Sequence, residues 1–304
     1  MKGVVSLLPS ATEIVCALGR RDQLVGRSHE CDHPADVASL PTCTRATFPD
    51  GSSREIDDSV RDLVSRGLSL YDVDLDTLQR LAPDVVITQD QCKVCAVHLA
   101  DVEAALAECT GTDTRIVSLS PQVLGDVWRD VRTVGDAIGA ASEARDLTAD
   151  LAERIAGIVE QTGRRGQESV VCLEWIEPLM ASGNWMPELV RIAGGRPLLG
   201  DTGRHSPTIE WAQLVEADPD VLVVTACGFD LPRTEREIGA LTGRPGWHDL
   251  RAAREERVYL ADGNAYFNRS GPRLVESIEI LAEILHPDRH DFGHAGRGYR
   301  RLKG

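Results

Sequence analysis

The chain has 304 residues, 33 basic against 48 acidic, and a formal net charge of −15. That length buries one large core or two modest ones. The acidic balance argues against a nucleic-acid or anionic-membrane surface, since each needs a positive patch.

The first apolar run, "GVVSLL" (3–8), reads as a β-strand leading into a helix over "ATEIVCAL". Ser10 and Glu13 have capping-box spacing, and Gly19 is a natural helix stop. Pro9, Ser10, Thr12 and Glu13 break the run too early for a signal peptide. No later segment approaches the ~20 apolar residues of a membrane span. These readings predict a cytoplasmic protein without membrane insertion. Its eight cysteines are then expected as thiols, ligands or catalytic groups rather than disulfides.

"LVGRS" (24–28) is a second strand, followed by "HECDHP" and a polar stretch. Asp74 caps a helix whose apolar face is Leu75, Leu78 and Leu81, ending before Pro83. "DVVIT" is a buried strand, "CAVHLADVEAALAEC" the next helix and "RIVSLS" another strand. Val123, Val127, Val131, Val134 and Ile138 form a helical stripe, and residues 142–161 continue as a second helix. Strand signals resume at "SVVCLEW" (169–175).

The second half then repeats the first. "LDTLQRLAPDVVITQDQC" and "IEWAQLVEADPDVLVVTACG" share an amphipathic helix, Pro-Asp, a buried strand and a polar end. Pro83 and Pro219 align 136 positions apart, which sets Trp211 on Leu75 as a core residue and Leu214 on Leu78. The repeat predicts an α/β fold of two lobes joined by a helical segment. The expected boundaries are 1–120 for the first lobe, 121–162 for the helical linker, 163–286 for the second lobe and 287–304 for a loose, solvated tail.

Ligands of open α/β sheets bind beyond the carboxyl ends of the strands. In the first lobe those ends carry Ser10, His29, Glu30, Cys31, Gln91, Cys92 and Cys95. In the second they carry Trp175, Cys227, Phe229, Tyr266, Asn268 and Arg269, with Trp185 and His205 on nearby loops. Cys31, Cys92, Cys95 and Cys227 suit Zn²⁺ or an iron–sulfur cluster if they converge. Trp175 and Trp185 are flat walls for a large ring ligand. His205 offers a neutral imidazole to a metal, or is a turn histidine before a helix. Tyr266, Phe267, Asn268 and Arg269 together suit a large ligand bearing amides or carboxylates, with Phe267 also readable as core. Cys16, Cys109 and Cys172 lie within helix or strand signals and read as packing. There is no catalytic triad, phosphate loop or dinucleotide fingerprint.

The pieces "SLLPSATEIVCALG", "LDTLQRLAPDVVIT", "MPELVRIAGG", "LVEADPDVLVV" and "RPGWHDLRAAREERVYLADG" together resemble the helical-backbone (class III) substrate-binding proteins of ABC importers for vitamin B12 and ferric siderophores. Within them the chain looks most like the cobalamin-binding branch. The resemblance implies the fold class α/β with two Rossmann-like lobes joined by a long backbone helix, and a ligand clamped in the cleft between the lobes with little domain motion. The lack of a recognisable secretion signal argues against an ABC-importer partner. The chain is also richer in thiols and carboxylates at its strand ends than the aromatic clefts of that branch. The leading expectation is a cytoplasmic binding protein for a corrinoid (cobalamin-like) or other metal chelate. The alternative is a thiol-ligated metalloprotein or redox enzyme using Zn²⁺ or an iron–sulfur cluster.

Overall fold

The run Val85–Gln89 becomes a strand buried along its whole length, as a central parallel strand must be. In the computed structural model it is one of four parallel strands in the first of two compact units. The structure describes residues 3–66, 68–90, 114–163 and 168–303. Unit 1 comprises Met1–Asp50, Asp58–Pro121 and Gly125–Asp150, and unit 2 comprises Gly51–Asp57, Gln122–Leu124 and Leu151–Gly304.

In unit 1, β1 (Val4–Ser6), β2 (Leu24–Arg27), β5 (Val85–Gln89) and β6 (Arg115–Leu119) lie in the order β2-β1-β5-β6, every pair parallel. β3 (Thr44–Ala46) and β4 (Tyr71–Val73) form a separate antiparallel pair. Helix α1 (Pro9–Ala17) starts with Pro at its first position, where a missing N–H costs nothing. Its N-cap is Leu8 with no side-chain cap, so Ser10 and Glu13 do not form the expected box. Pro9 shifted the start by one residue and put both side chains inside the first turns. The polar stretch holds an amphipathic helix, α2 (Ser53–Ser65), which sequence reading passed over. Val60 and Leu63 pack it against Leu70, Tyr71 and Leu78. The helix Leu124–Ile138 buries Val127 and packs Val131, Val134 and Ile138 of the predicted stripe in one cluster with Val4, Val85 and Ile14, while Val123 precedes it.

In unit 2, β7 (Ser169–Trp175), β8 (Met180–Ala181), β9 (Arg196–Pro197), β10 (Val221–Val224), β11 (Val258–Ala261) and β12 (Tyr299–Arg301) run β12-β11-β10-β7-β8, with β9 paired to β7. β7, β10 and β11 are parallel, so their carboxyl ends share one edge. The tail departs from the expected loose segment. β12 pairs antiparallel with β11, and His286, His290 and His294 are buried. Pro287 and Gly293 do stop a helix, but the chain turns back onto the sheet instead of leaving it. A 22-residue helix, Ala141–Thr162, contains the boundary between the units at Asp150 and Leu151. Among the described residues no helix is long and apolar enough to cross a membrane.

The repeat seen in the sequence is a structural one. Helix α3 (Leu75–Leu81) and the helix Trp211–Ala217 start and stop 136 positions apart. Asp74 caps the first by accepting from Thr77 N–H, as its sequence predicts, and a Glu210–Gln213 capping box starts the second. Each ends on a left-handed residue, Ala82 at φ 40° and Asp218 at φ 34°. After the proline, Asp84 Oδ2 accepts from Gly3 N–H at 2.7 Å and Asp220 Oδ2 from Ser169 N–H at 2.8 Å. The next residue, Val85 or Val221, then pairs with Val4 or Val170. The Pro-Asp pair thus turns the chain and clips it to the start of the neighbouring strand in both units.

Candidate functional site

In unit 1, β2 delivers Ser28, His29, Glu30 and Cys31 at its carboxyl end. Thr44, the first residue of β3, fixes the histidine. Its Oγ1 accepts from His29 N–H at 3.1 Å, lies 2.8 Å from His29 Nδ1 and donates to Ser28 Oγ at 3.2 Å. With the hydroxyl proton directed to Ser28, Nδ1 carries the ring proton and Nε2 keeps its lone pair. Thr44 engages the ring at Nδ1 and not at Nε2. Burial, and then the Arg27 charge, pull the pKa of His29 below its usual value and keep the ring neutral. The ring also meets Tyr71 with centroids 5.6 Å apart, and Tyr71 meets Phe48 at 6.0 Å. A neutral imidazole with one nitrogen oriented by a second residue is the arrangement of a metal ligand.

The neighbours of His29 have other settings. Ser10 is buried in the first turn of α1, and Glu30 is half-buried with its N–H donating to Ser28 Oγ at 3.3 Å. Cys31 lies in the hydrophobic core beside α1, where Thr12 Oγ1 donates to its sulfur at 3.0 Å. That placement corrects the expectation of an open Cys31 ligand, because the strand end folds back under the helix. Cys43, for which the sequence offers no role, is buried in the core beside Gly26. Gln91, Cys92 and Cys95, and with them the C-x-x-C, lie outside the described residues.

In unit 2 the shared edge of β7, β10 and β11 gathers several predicted residues. Trp175 stands at the end of β7 with its indole N–H donating to Ser53 O and Glu177 O, each at 3.1 Å. Its ring meets Phe229 at 5.1 Å, and Arg233 lies 4.0 Å from the Phe229 centroid. Cys227 N–H donates to Glu174 O at 3.0 Å, and Glu174 accepts from Ser206 Oγ at 2.7 Å. The loop after β11 folds over these ends. Asp262 Oδ1 accepts from Asn264 N–H at 3.1 Å and Ala265 N–H at 2.7 Å. Asn268 Nδ2 donates to Thr225 O at 2.7 Å and Gly263 O at 3.0 Å, and Arg269 Nη2 donates to Asn264 Oδ1 at 2.9 Å. Asn268 is therefore an internal brace of the loop.

Two predicted ligand-binding rings are core residues. Phe229 is sealed between Trp175 and Arg233, and Trp185, predicted as a ring wall, is buried with its indole N–H donating to Phe267 O at 2.7 Å. Their apolar surface is taken up by packing within unit 2, which corrects their assignment as ligand contacts. Trp175 and Tyr266 stay half-buried, and Tyr266 carries Arg273 above its ring at 5.5 Å. His205 is exposed, with Nδ1 3.0 Å from Ser206 O. Cys227 is half-buried at the end of β10. Among the described residues no three His, Cys, Asp or Glu side chains group to hold a metal ion. Sequence reading places Glu174 with Trp175 at a strand end but offers nothing for Thr44 and Ser206.

These units define a two-sheet α/β binding-protein fold with polar and aromatic groups at the strand ends of each sheet. The Periplasmic binding protein family matches residues 4–265, and the chain belongs to that family. The chain is 26% identical over 296 residues to an uncharacterized ABC transporter substrate-binding lipoprotein, YvrC, of Bacillus subtilis, covering 94% of this chain and 81% of that protein. It is 19% identical over 284 residues to the vitamin B12-binding protein of Photorhabdus laumondii, covering 93% of this chain and 87% of that one. A crystal structure of a periplasmic heme binding protein from Pseudomonas aeruginosa superimposes with a TM-score of 0.69 at 21% identity, covering 95% of this chain and 94% of that one.

Proposed function

We propose that this protein is the substrate-binding component of an ABC importer and that its substrate is a metal tetrapyrrole, a corrinoid before a heme. The family match over residues 4–265 supports the first half. The relatives' names point to importer, vitamin B12 and heme. The observation that carries the second half is His29, whose Nε2 lone pair is left free by the Thr44 hydrogen bond. A tetrapyrrole metal takes an axial imidazole in this protonation state. The relatives' names give the expected cytoplasmic location no support, and fractionation of the native host assigns the compartment.

The test is a panel of aquocobalamin, cobinamide and hemin, each mixed with purified protein and passed over a gel-filtration column. At least one compound is expected to co-elute with a shifted visible spectrum. Free elution of all three overturns the tetrapyrrole assignment. If all three elute free, a ferric siderophore run on the same column and retained would replace it with a siderophore reading.

A further inference from the structure

The segment after the helix Leu274–Leu285 carries histidines at four-residue intervals that are 9%, 4% and 3% exposed: His286, His290 and His294. Two are visibly anchored at one ring nitrogen. His290 Nε2 lies 3.0 Å from Thr162 Oγ1, at the end of the helix Ala141–Thr162. His294 Nε2 lies 2.9 Å from Glu279 Oε2. The other nitrogen of each, together with His286 Nε2 and Glu283 Oε2, is buried without a hydrogen-bond partner among the described residues. A neutral imidazole tolerates a bare lone pair, whereas an imidazolium there holds a buried N–H without an acceptor.

The charges around these rings do not offset that cost. Glu168, Asp288 and Arg289 act on His286, and His286, Asp288, Arg289 and Glu283 act on His290. The two rings are 6.3 Å apart, so charging one opposes charging the other. Burial leads, and both pKa values fall below 6.5. With the folded pKa depressed, the histidines' contribution is complete above about pH 6.5 and is lost as pH falls toward the folded pKa.

The same segment touches the loop after β11. The His294 ring meets Tyr266 at 6.1 Å, and Asp262 N–H donates to Gly298 O at 2.9 Å. We propose that His286–Tyr299 is a proton-released clasp that holds the loop Asp262–Arg269 in its folded position. Acidification charges His286 and His290, frees the segment from Thr162 and loosens the loop. The effect on substrate release rests on the proposed function, but the clasp itself is tested without any ligand.

The experiment is hydrogen exchange with mass spectrometry on the full chain at pH 7.5 and 5.5, corrected for intrinsic exchange. Between these values an ordinary histidine pKa sets a ceiling of about tenfold per histidine on the change in opening. Faster opening of the segment and of the loop, by roughly tenfold, is expected while β10 stays protected. Unchanged protection of the segment overturns the clasp. Opening of the segment without the loop overturns its hold on the loop. In His286→Gln/His290→Gln the pH response of both is expected to vanish, and its persistence assigns the response elsewhere. If that variant does not fold, His290→Gln is expected to lower the response, and the wild-type comparison decides by itself.

Discussion

Asp220 offers the sharpest test of how the repeat is built. Its carboxylate accepts from Ser169 N–H at 2.8 Å, Ser169 Oγ at 2.7 Å and Arg251 Nη1 at 2.6 Å. The Ser169 backbone bond, then its hydroxyl, then Arg251 hold the pKa down at about 2, from an ordinary 3.8. At ~1.4 kcal/mol per pKa unit this caps the contribution at about 2.5 kcal/mol. The side chain is 25% exposed, and solvent screening brings the figure to roughly 1–2 kcal/mol. A depressed carboxyl pKa contributes fully above pH 3.8 and is lost as pH falls through about 2. Asp220→Asn should therefore lower the stability of unit 2 at pH 7 by that amount, and the gap should close toward pH 2. Urea melts followed by tryptophan fluorescence report on it, since Trp175, Trp185, Trp211 and Trp247 all lie in unit 2. Equal stability at pH 7, or a gap unchanged in acid, would refute the reasoning. Asp84→Asn in unit 1 should cost less, because its carboxylate accepts one backbone N–H rather than three donors.

Asp130 predicts the opposite pH dependence. It is buried, Oδ2 lacks a partner among the described residues, and burial raises its pKa to about 7. A raised carboxyl pKa destabilises the fold as pH climbs from 3.8 past about 7. Asp130→Asn should thus gain on the order of 2–4 kcal/mol at pH 8 and nothing at pH 4, read from denaturation at both pH values. Phe229→Ala removes the ring between Trp175 and Arg233 and should cost ~3–5 kcal/mol in urea melts. A cost below 1 kcal/mol would mean the stack is not packed as described. Thr44→Val leaves His29 without its anchor, and should weaken binding of any retained tetrapyrrole about tenfold with little loss of melting temperature.

The sheets were legible because their strands are unbroken β-branched runs, and the repeat because Pro83 and Pro219 punctuate it identically. Helix α2 was hidden by its charge: Ile56, Val60 and Leu63 are spaced as a helix face but sit among six charged residues. The tail misled for a related reason. Its polar, glycine-rich composition reads as solvated, yet Thr162, Glu279 and Glu283 lie 128, 15 and 11 residues from the histidines they meet and give its polar groups buried partners. Strand-end logic set His29 and Trp175 at the carboxyl ends of β2 and β7, where the structure has them, whereas Asn268 braces the loop after β11. Burial was not legible, because it depends on what folds back: α1 over Cys31, and the Phe267 backbone against Trp185. Thr44 carried no signal at all, since its role exists only once β3 has brought it beside β2.

The central claim is that His29 presents a metal-binding nitrogen to a tetrapyrrole substrate. Its most direct test is the visible spectrum of the tetrapyrrole that co-elutes with wild-type protein, compared with the same compound on His29→Ala. The wild-type complex should show the band shift of imidazole coordination, and the variant should lose that shift and bind more weakly. Identical spectra and affinities for the two proteins would contradict the account.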